Sequence, residues 1–261
     1  MKIVRFTVNH SSPQYGIQEN GKIRAITGEL KDITENNYSA SPKEYSQEEA
    51  AILPPCTPSK ILCLGLNYQS HAKELELPIP SDPILFMKPS TALVGPGKAI
   101  HYPPHSKRVD YEAELGVVIG KTCYRVKKEK TLNYVIGYTC ANDVTARDHQ
   151  PKEGQWTYAK SFDTFAPIGP CIETEISDPE NLKLAGYLNS TEVQQGNTRD
   201  HIFPIKELLE HISHCMTLLP GDVIMTGTPS GIGPMQPGDS FEVKIEGIGN
   251  LYNPVEKMHQ L

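Results

Sequence analysis

The chain has no apolar run long enough to span a bilayer, and its opening stretch MKIVRFTVNH has no apolar signal core. Both absences argue against a membrane or exported protein. It has no basic run and no alternation of basic with aromatic residues, and its net charge is −6, which argues against a nucleic-acid partner. No CxxC pair occurs among Cys56, Cys63, Cys123, Cys140, Cys171 and Cys215. Most of these sit in apolar contexts and read as reduced core thiols of a cytoplasmic protein. There is no internal repeat, no GxGxxG dinucleotide fingerprint and no GxSxG nucleophile elbow. The glycine-rich stretch Gly227 to Gly233 is not followed by GK[ST], and Pro229 interrupts it, which excludes a phosphate-loop NTPase.

Long helical patterns are also few. In their place stand 22 prolines, 20 glycines and 12 tyrosines, a composition that favours a β-rich fold with many turns. At 261 residues, 38% hydrophobic and 21% charged, the chain suits a soluble globular protein of one large domain, or one domain with a small appendage. Residues 1–57 differ in character from the rest. MKIVRFTV alternates as a strand does, and Asn20-Gly21 marks a hairpin turn before a second strand. Polar material and the exit Leu53-Pro-Pro-Cys-Thr-Pro58 follow, so this part reads as a small β-rich lobe with a linker. Residues 58–261 form the main domain. Its best helix is expected from Ile205 to Leu219, with His211 and His214 read as surface residues.

The most informative stretch is VDYEAELGVVIG, residues 109–120. Its apolar, partly β-branched end predicts a strand entering a buried sheet, and Glu112 and Glu114 then project from one face of it. Paired like charges need a cation or a shared proton, and a hard divalent metal suits oxygen ligands. A solvated strand edge fits the same residues. Asp143, at the end of the strand-like Tyr134 to Cys140, is a candidate third oxygen, or else a helix cap. His71 and Glu74 lie three apart and touch if helical, either as a base with its orienting carboxylate or as an ordinary surface pair. Lys88 reads as a buried or substrate-facing cation, or a strand-end lysine reaching for water. Arg147 suits a substrate carboxylate or an ion pair with a neighbour. Lys160 lies among aromatic residues, near a developing negative charge or simply packed on rings. Thr226, Thr228 and the amides around them could bind a carboxylate. Gln155, at the head of the run leading to Lys160, joins Arg147, Thr228 and Lys88 as a candidate substrate contact.

Six motifs carry a resemblance. They are GLNYQSHAKE at 65–74, FMKPSTALVGPG at 86–97, DYEAELGVVIG at 110–120, NDVTARD at 142–148, WTYAKSFDTFAPIGP at 156–170 and GDVIMTGTPSGIG at 221–233. In this order they resemble the fumarylacetoacetate hydrolase family over roughly residues 60 to 255. The resemblance implies an α+β, mainly β fold: a mixed β-sandwich roll, carrying here a small N-terminal β-rich lobe. It further implies a homodimer and one Mg²⁺ or Mn²⁺, with Glu112, Glu114 and Asp143 matching the metal ligands. His71 and Glu74 match a general-base dyad on a lid, Lys160 a lysine facing the substrate, and Thr228 the loop that holds its carboxylate. The N-terminal lobe is smaller than that of fumarylacetoacetase itself, and a fourth acidic ligand has no match here. Both departures point to the shorter branch of acylpyruvate hydrolases, oxaloacetate decarboxylases and isomerase/decarboxylases. The expected reaction is metal-dependent C–C hydrolysis of an acylpyruvate-like 2,4-diketo acid through an enolate. Oxaloacetate decarboxylation and 2-hydroxyhepta-2,4-diene-1,7-dioate isomerisation are the alternatives, and a non-catalytic metal- or carboxylate-binding module is the rival from another class.

Overall fold

The alternating N-terminal residues form strand β1 (Lys2–Val8), followed by β2 (Gln14–Glu19) and β3 (Lys22–Ile26). Asn20 and Gly21 join β2 to β3 with φ of 49° and 76°, the left-handed pair that a two-residue hairpin turn requires. This computed structural model describes residues 1–9, 11–151 and 154–258. The polar stretch after the hairpin holds a short helix α1 (Leu30–Thr34), then strands β4 (Ala40–Ser46) and β5 (Ala50–Leu53). Sequence pattern gave no sign of β4. It is a mostly exposed edge strand on β3, with Tyr45 packed edge-on against Phe6, and an edge with so little burial needs no apolar alternation.

The chain continues through β6 (Ile61–Gly65), α2 (Gln69–Glu74), β7 (Ile84–Lys88), β8 (Leu93–Val94), β9 (Ile100–Tyr102), β10 (Val109–Tyr111) and β11 (Ala113–Ile119). Next come β12 (Val135–Asn142), β13 (Thr145–Ala146), α3 (Thr157–Lys160), β14 (Ala166–Glu173), β15 (Lys183–Leu188) and β16 (Thr191–Asn197). The last elements are α4 (Ile205–Cys215), β17 (Val223–Met225), β18 (Gly233–Met235), β19 (Ser240–Ile245) and β20 (Gly249–Lys257). A mixed sheet runs β4-β3-β2-β1-β14-β12-β11-β17-β6-β7, and a second runs β16-β15-β19-β20-β9. A three-stranded ribbon, β13-β10-β18, crosses beside them. The architecture is the expected mainly β sandwich roll with an N-terminal β-rich lobe. The lobe continues the main sheet, because β1 pairs with β14 through Lys2↔Glu173 and Ile3↔Ile172. Ile3, Leu30 and Ile33 pack in one cluster with Ile61, Cys63 and Val118.

Strand β11 lies at the centre and is buried along its whole length. Ala113, Leu115, Val117 and Ile119 point into the larger core with Leu184, Phe241 and Val243 of the second sheet, while Val118 points into the opposite cluster. That alternation sends Glu114 away from the sandwich core, towards α2 and α3. Helix α4 buries Ile205, Leu208, Leu209 and Ile212 and ends at Cys215, short of the expected Leu219. His211 and His214 are exposed, and a His214 ring nitrogen meets the Glu210 carbonyl oxygen at 2.8 Å.

Two buried polar groups hold the segments that lead into the site. Asp222 has no exposed surface and accepts hydrogen bonds from Ser59 N (3.0 Å), Ser59 Oγ (2.7 Å), Lys60 N (3.2 Å) and Leu219 N (2.8 Å), and it pairs with Lys60 Nζ at 2.5 Å. These bonds clamp residues 59–60 to the start of β17 and set the parallel register Ile61↔Val223. Asn67 ties the entry of α2 to residues 202–203: its side chain donates to Thr226 O and Phe203 O and accepts from Phe203 N, and its carbonyl accepts from Ile202 N. The adjoining Tyr68 packs edge-on against His201, with ring centroids 4.7 Å apart. Burial pushes the His201 imidazole down to about 3, and neither ring nitrogen has a partner among the described residues.

We predict that Asp222→Ala costs about 3–5 kcal/mol in urea unfolding, because it leaves a half-buried Lys60 and several amides unpaired. A loss under about 1 kcal/mol would show that the clamp is not structural. The buried His201 stays neutral in the fold and takes up a proton when unfolded. Its contribution is therefore complete above the unfolded pKa of about 6.5 and is lost as pH falls towards about 3, by up to about 1.4 kcal/mol per pH unit. His201→Phe should flatten that part of the Tm–pH curve between pH 7 and 4; an unchanged slope would remove His201 as its source.

Candidate metal and acid–base site

Glu112 sits in the break between β10 and β11, Glu114 is the second residue of β11, and Asp143 follows β12 directly. The antiparallel register Ala113↔Asn142 brings the three carboxylates together. The backbone locks the junction: Asp143 N donates to Glu112 O at 2.9 Å, and Glu112 N donates to Asn142 Oδ1 at 2.9 Å. One oxygen from each of Glu112, Glu114 and Asp143 lies within 4.8 Å of the others, and all three side chains are buried.

Cations surround the cluster unevenly. Lys160 Nζ sits 2.6 Å from Asp143 Oδ2 and 3.1 Å from Glu112 Oε2. Lys88 Nζ pairs with Asp143 Oδ1 at 2.7 Å, and Arg147 Nη2 with Glu112 Oε1 at 2.5 Å. Burial alone would raise the Glu112 pKa, but Lys160 and Arg147 outweigh it and hold the carboxyl well below the usual range. Glu114 is the opposite case. Burial, then the charges of Asp143 and Glu112, push its carboxyl well above the usual range. Its Oε2 accepts from Gly227 N at 2.6 Å, while its buried Oε1 has no partner among the described residues. An orphaned carboxylate oxygen facing two other carboxylates is what a hard divalent cation would complete, and the all-oxygen donor set suits Mg²⁺ or Mn²⁺.

Helix α2 carries the second part of the site. Pro78 and Pro80 stop it early, and its single turn sets His71 Nδ1 3.0 Å from Glu74 Oε2. Glu74 Oε1 accepts from Gly231 N at 2.8 Å, which fixes the carboxylate from behind. With Nδ1 engaged, Nε2 is the nitrogen left for a reacting proton. A cavity of about 370 Å³ lies between the helix and the cluster. His71, Glu112, Asp143, Arg147, Lys160 and Thr228 line one part of it; Leu64, Leu66, Leu75, Leu77, Phe86 and Trp156 line the other. Gly65 is required there, since a Cβ would come within 2.5 Å of the Trp156 ring.

Two of the candidate substrate contacts lie elsewhere. The Lys88 ammonium is enclosed by the carbonyls of Val144 (2.8 Å), Lys160 (2.9 Å) and Phe165 (2.7 Å) besides Asp143, and does not line the cavity. Gln155 is exposed; the glutamine on the cavity wall is Gln150, whose Oε1 accepts from Arg147 Nη1 at 2.5 Å. Thr228 reaches the wall, but its hydroxyl already donates to Ala113 O (2.9 Å) and accepts from Gln194 Nε2 (2.8 Å). Gln194 also takes Ala113 N at 2.9 Å, so it joins the glycine-rich loop to the strand of the glutamates. Nothing local in the sequence marks Gln150 or Gln194: one lies in a loop, the other projects from a distant hairpin.

Comparison with known proteins agrees with this geometry. The family pattern described as "Fumarylacetoacetate (FAA) hydrolase C-terminal" matches residues 60–256, and a "Rv2993c-like, N-terminal" pattern matches residues 1–55. The chain belongs to the fumarylacetoacetate hydrolase family. It is 41% identical over 221 residues to the mitochondrial oxaloacetate tautomerase of Homo sapiens, covering 80% of this chain and 70% of that one. Among solved structures it resembles 2-hydroxyhepta-2,4-diene-1,7-dioate isomerase from Mycobacterium marinum, with TM-score 0.89, 36% identity and full coverage of both chains. It also resembles fumarylacetoacetate hydrolase from Exiguobacterium antarcticum, with TM-score 0.83, 32% identity, and 99% and 100% coverage. The chain is thus an enzyme of this family with a carboxylate cluster able to take a divalent metal. No helix among the described residues is long and apolar enough to cross a membrane.

Glu114→Gln should raise the Tm of metal-free protein at neutral pH, because the Glu114 carboxyl must take up a proton to be buried beside Asp143 and Glu112, whereas the neutral amide need not. The same variant should lose most of the Tm gain that millimolar Mn²⁺ gives the wild type. An unaltered gain would place the cation elsewhere.

Proposed function

We propose that this chain moves protons on a 2-oxo acid, the keto–enol step of an isomerase or tautomerase, in preference to hydrolysing a C–C bond. The observation that supports it most is the His71–Glu74 pair, 3.0 Å apart, on the cavity wall beside Lys160 and the carboxylate cluster. A divalent cation held by Glu112, Glu114 and Asp143 supplies, when bound, Lewis-acid stabilisation of an enolate. His71 Nε2 takes the proton from the carbon next to the carbonyl, and Glu74 balances the imidazolium that forms. Lys160 brings fixed positive charge to the side where the enolate oxygen develops. Returning the proton from His71 to a different position completes an isomerisation without water. Arg147 and Gln150, held to each other, orient the acid end. Relatives named tautomerase and isomerase, 41% and 36% identical to this chain, support this reading.

Hydrolysis of an acylpyruvate-like 2,4-diketo acid is the second reading. Its support is the size of the cavity, about 370 Å³, which leaves room for a water beside a small 2-oxo acid within reach of His71. Decarboxylation of oxaloacetate would pass through the same enolate. A homodimer belongs to the same proposal, and sedimentation would measure it.

The test follows three reactions in parallel, with Mg²⁺ or with chelator: ketonisation of enol-oxaloacetate, isomerisation of a 2-hydroxydienoate, and pyruvate release from an acylpyruvate. Proton transfer should dominate and be lost with chelator, and His71→Ala should lower it by about 10²-fold or more. Faster pyruvate release from the acylpyruvate would overturn the isomerase reading in favour of hydrolysis.

A further inference from the structure

We infer that Asp110 is a positioning residue that sets how tightly the carboxylate cluster holds its cation, by dividing Arg147 between itself and Glu112. This rests on Glu112, Glu114 and Asp143 being the cation-binding set. Asp110 has no exposed surface. Its Oδ1 accepts from Arg108 Nε at 2.8 Å, and its Oδ2 accepts from Arg108 Nη2 at 3.1 Å and from Arg147 Nε at 2.8 Å. Arg147 then reaches on to Glu112 Oε1 at 2.5 Å, and Lys160 links Glu112 to Asp143. The result is an alternating row of charge from solvent to the centre: Arg108, Asp110, Arg147, Glu112, Lys160, Asp143 and Lys88.

The backbone builds this row. Asp110 and Glu112 are two apart in extended chain, and β13 pairs antiparallel to β10 through Asp110↔Thr145 and Val109↔Ala146. Arg147 therefore leaves β13 beside both acids and is fixed by both. A cation arriving at Glu112 must compete with Arg147 for the Oε1 lone pairs. The Asp110 charge on the other edge of the guanidinium weakens that competition, as outer partners commonly tune metal ligands. Arg108 draws Asp110 the other way, but its side chain is 51% exposed and screened by water. Asp110 and Arg108 thus have opposite signs of effect on the cluster's hold on a cation.

The experiment measures Mn²⁺ affinity by calorimetry and by the EPR signal of free Mn²⁺, with Tm recorded for each variant. Asp110→Asn should raise the Kd by about tenfold or more. Arg108→Ala gives Asp110 wholly to Arg147, and should leave the Kd equal to wild type or tighter. A packing role alone would weaken binding in both variants in step with their loss of Tm. A Kd for Asp110→Asn within about threefold of wild type would overturn the inference, as would weakening by Arg108→Ala beyond that margin. The exposed Arg108→Ala keeps the test open should Asp110→Asn fold poorly. Absence of Mn²⁺ binding by the wild-type chain would overturn the metal-site reading and this inference together, whereas normal binding with an unmoved Asp110→Asn would overturn this one alone.

Discussion

The structure depends on burying three carboxylates, Glu112, Glu114 and Asp143, at one junction of the central sheet. Isolated, any of them would be protonated or exposed, because the interior disfavours unpaired charge. Two of the three are relieved by protein cations: Asp143 by Lys88 and Lys160, Glu112 by Arg147 and Lys160. Among the described residues Glu114 receives only the Gly227 amide. The imbalance is local, and it is located where a divalent cation would meet all three groups. Much of the surrounding chain secures those partners: α3 presents Lys160, β7 ends in Lys88, and the turn after β13 delivers Arg147.

The sandwich makes that burial affordable. Alternate residues of β11 fill the core between the sheets, so the strand that carries Glu114 is anchored by Leu115, Val117 and Ile119 on its other face. The clamp at Asp222 and the bonds of Asn67 fix the loops that face the cluster from the far side. Gln194 then joins the second sheet to the same junction through Ala113 and Thr228. This frame holds one oxygen of each carboxylate within 4.8 Å of the others, close enough for one ion to meet all three.

The chemistry divides between two rigid parts. In the proposed reading the cluster and Lys160 would favour negative charge developing on a bound acid, while the His71–Glu74 pair on the cavity wall would act as the proton acceptor. Tautomerisation, isomerisation, decarboxylation and C–C hydrolysis all use an enolate, so relatives with similar frames carry different names.

Local pattern was enough for several features. The alternation and Asn20-Gly21 turn of the first hairpin, the burial of residues 113–119 and the short helix bearing His71 and Glu74 follow from periodicity and turn chemistry over a few residues. The family motifs reached further, to the sandwich roll and to the carboxylate cluster. Other features had no local signal. Strand β4 is an exposed edge without alternation, and α4 stops at Cys215 although the apolar spacing runs on. Lys88 is spent on three carbonyls and Asp143, Gln150 takes the wall in place of Gln155, and Asp110 shares Arg147 with Glu112. The partners of Lys88 and Asp110 lie dozens of positions away, brought close by the fold. A sequence by itself determines which side chains carry charge and which face of a strand they share. Only the tertiary structure decides which of those charges find partners, because pairing depends on distances that the fold closes.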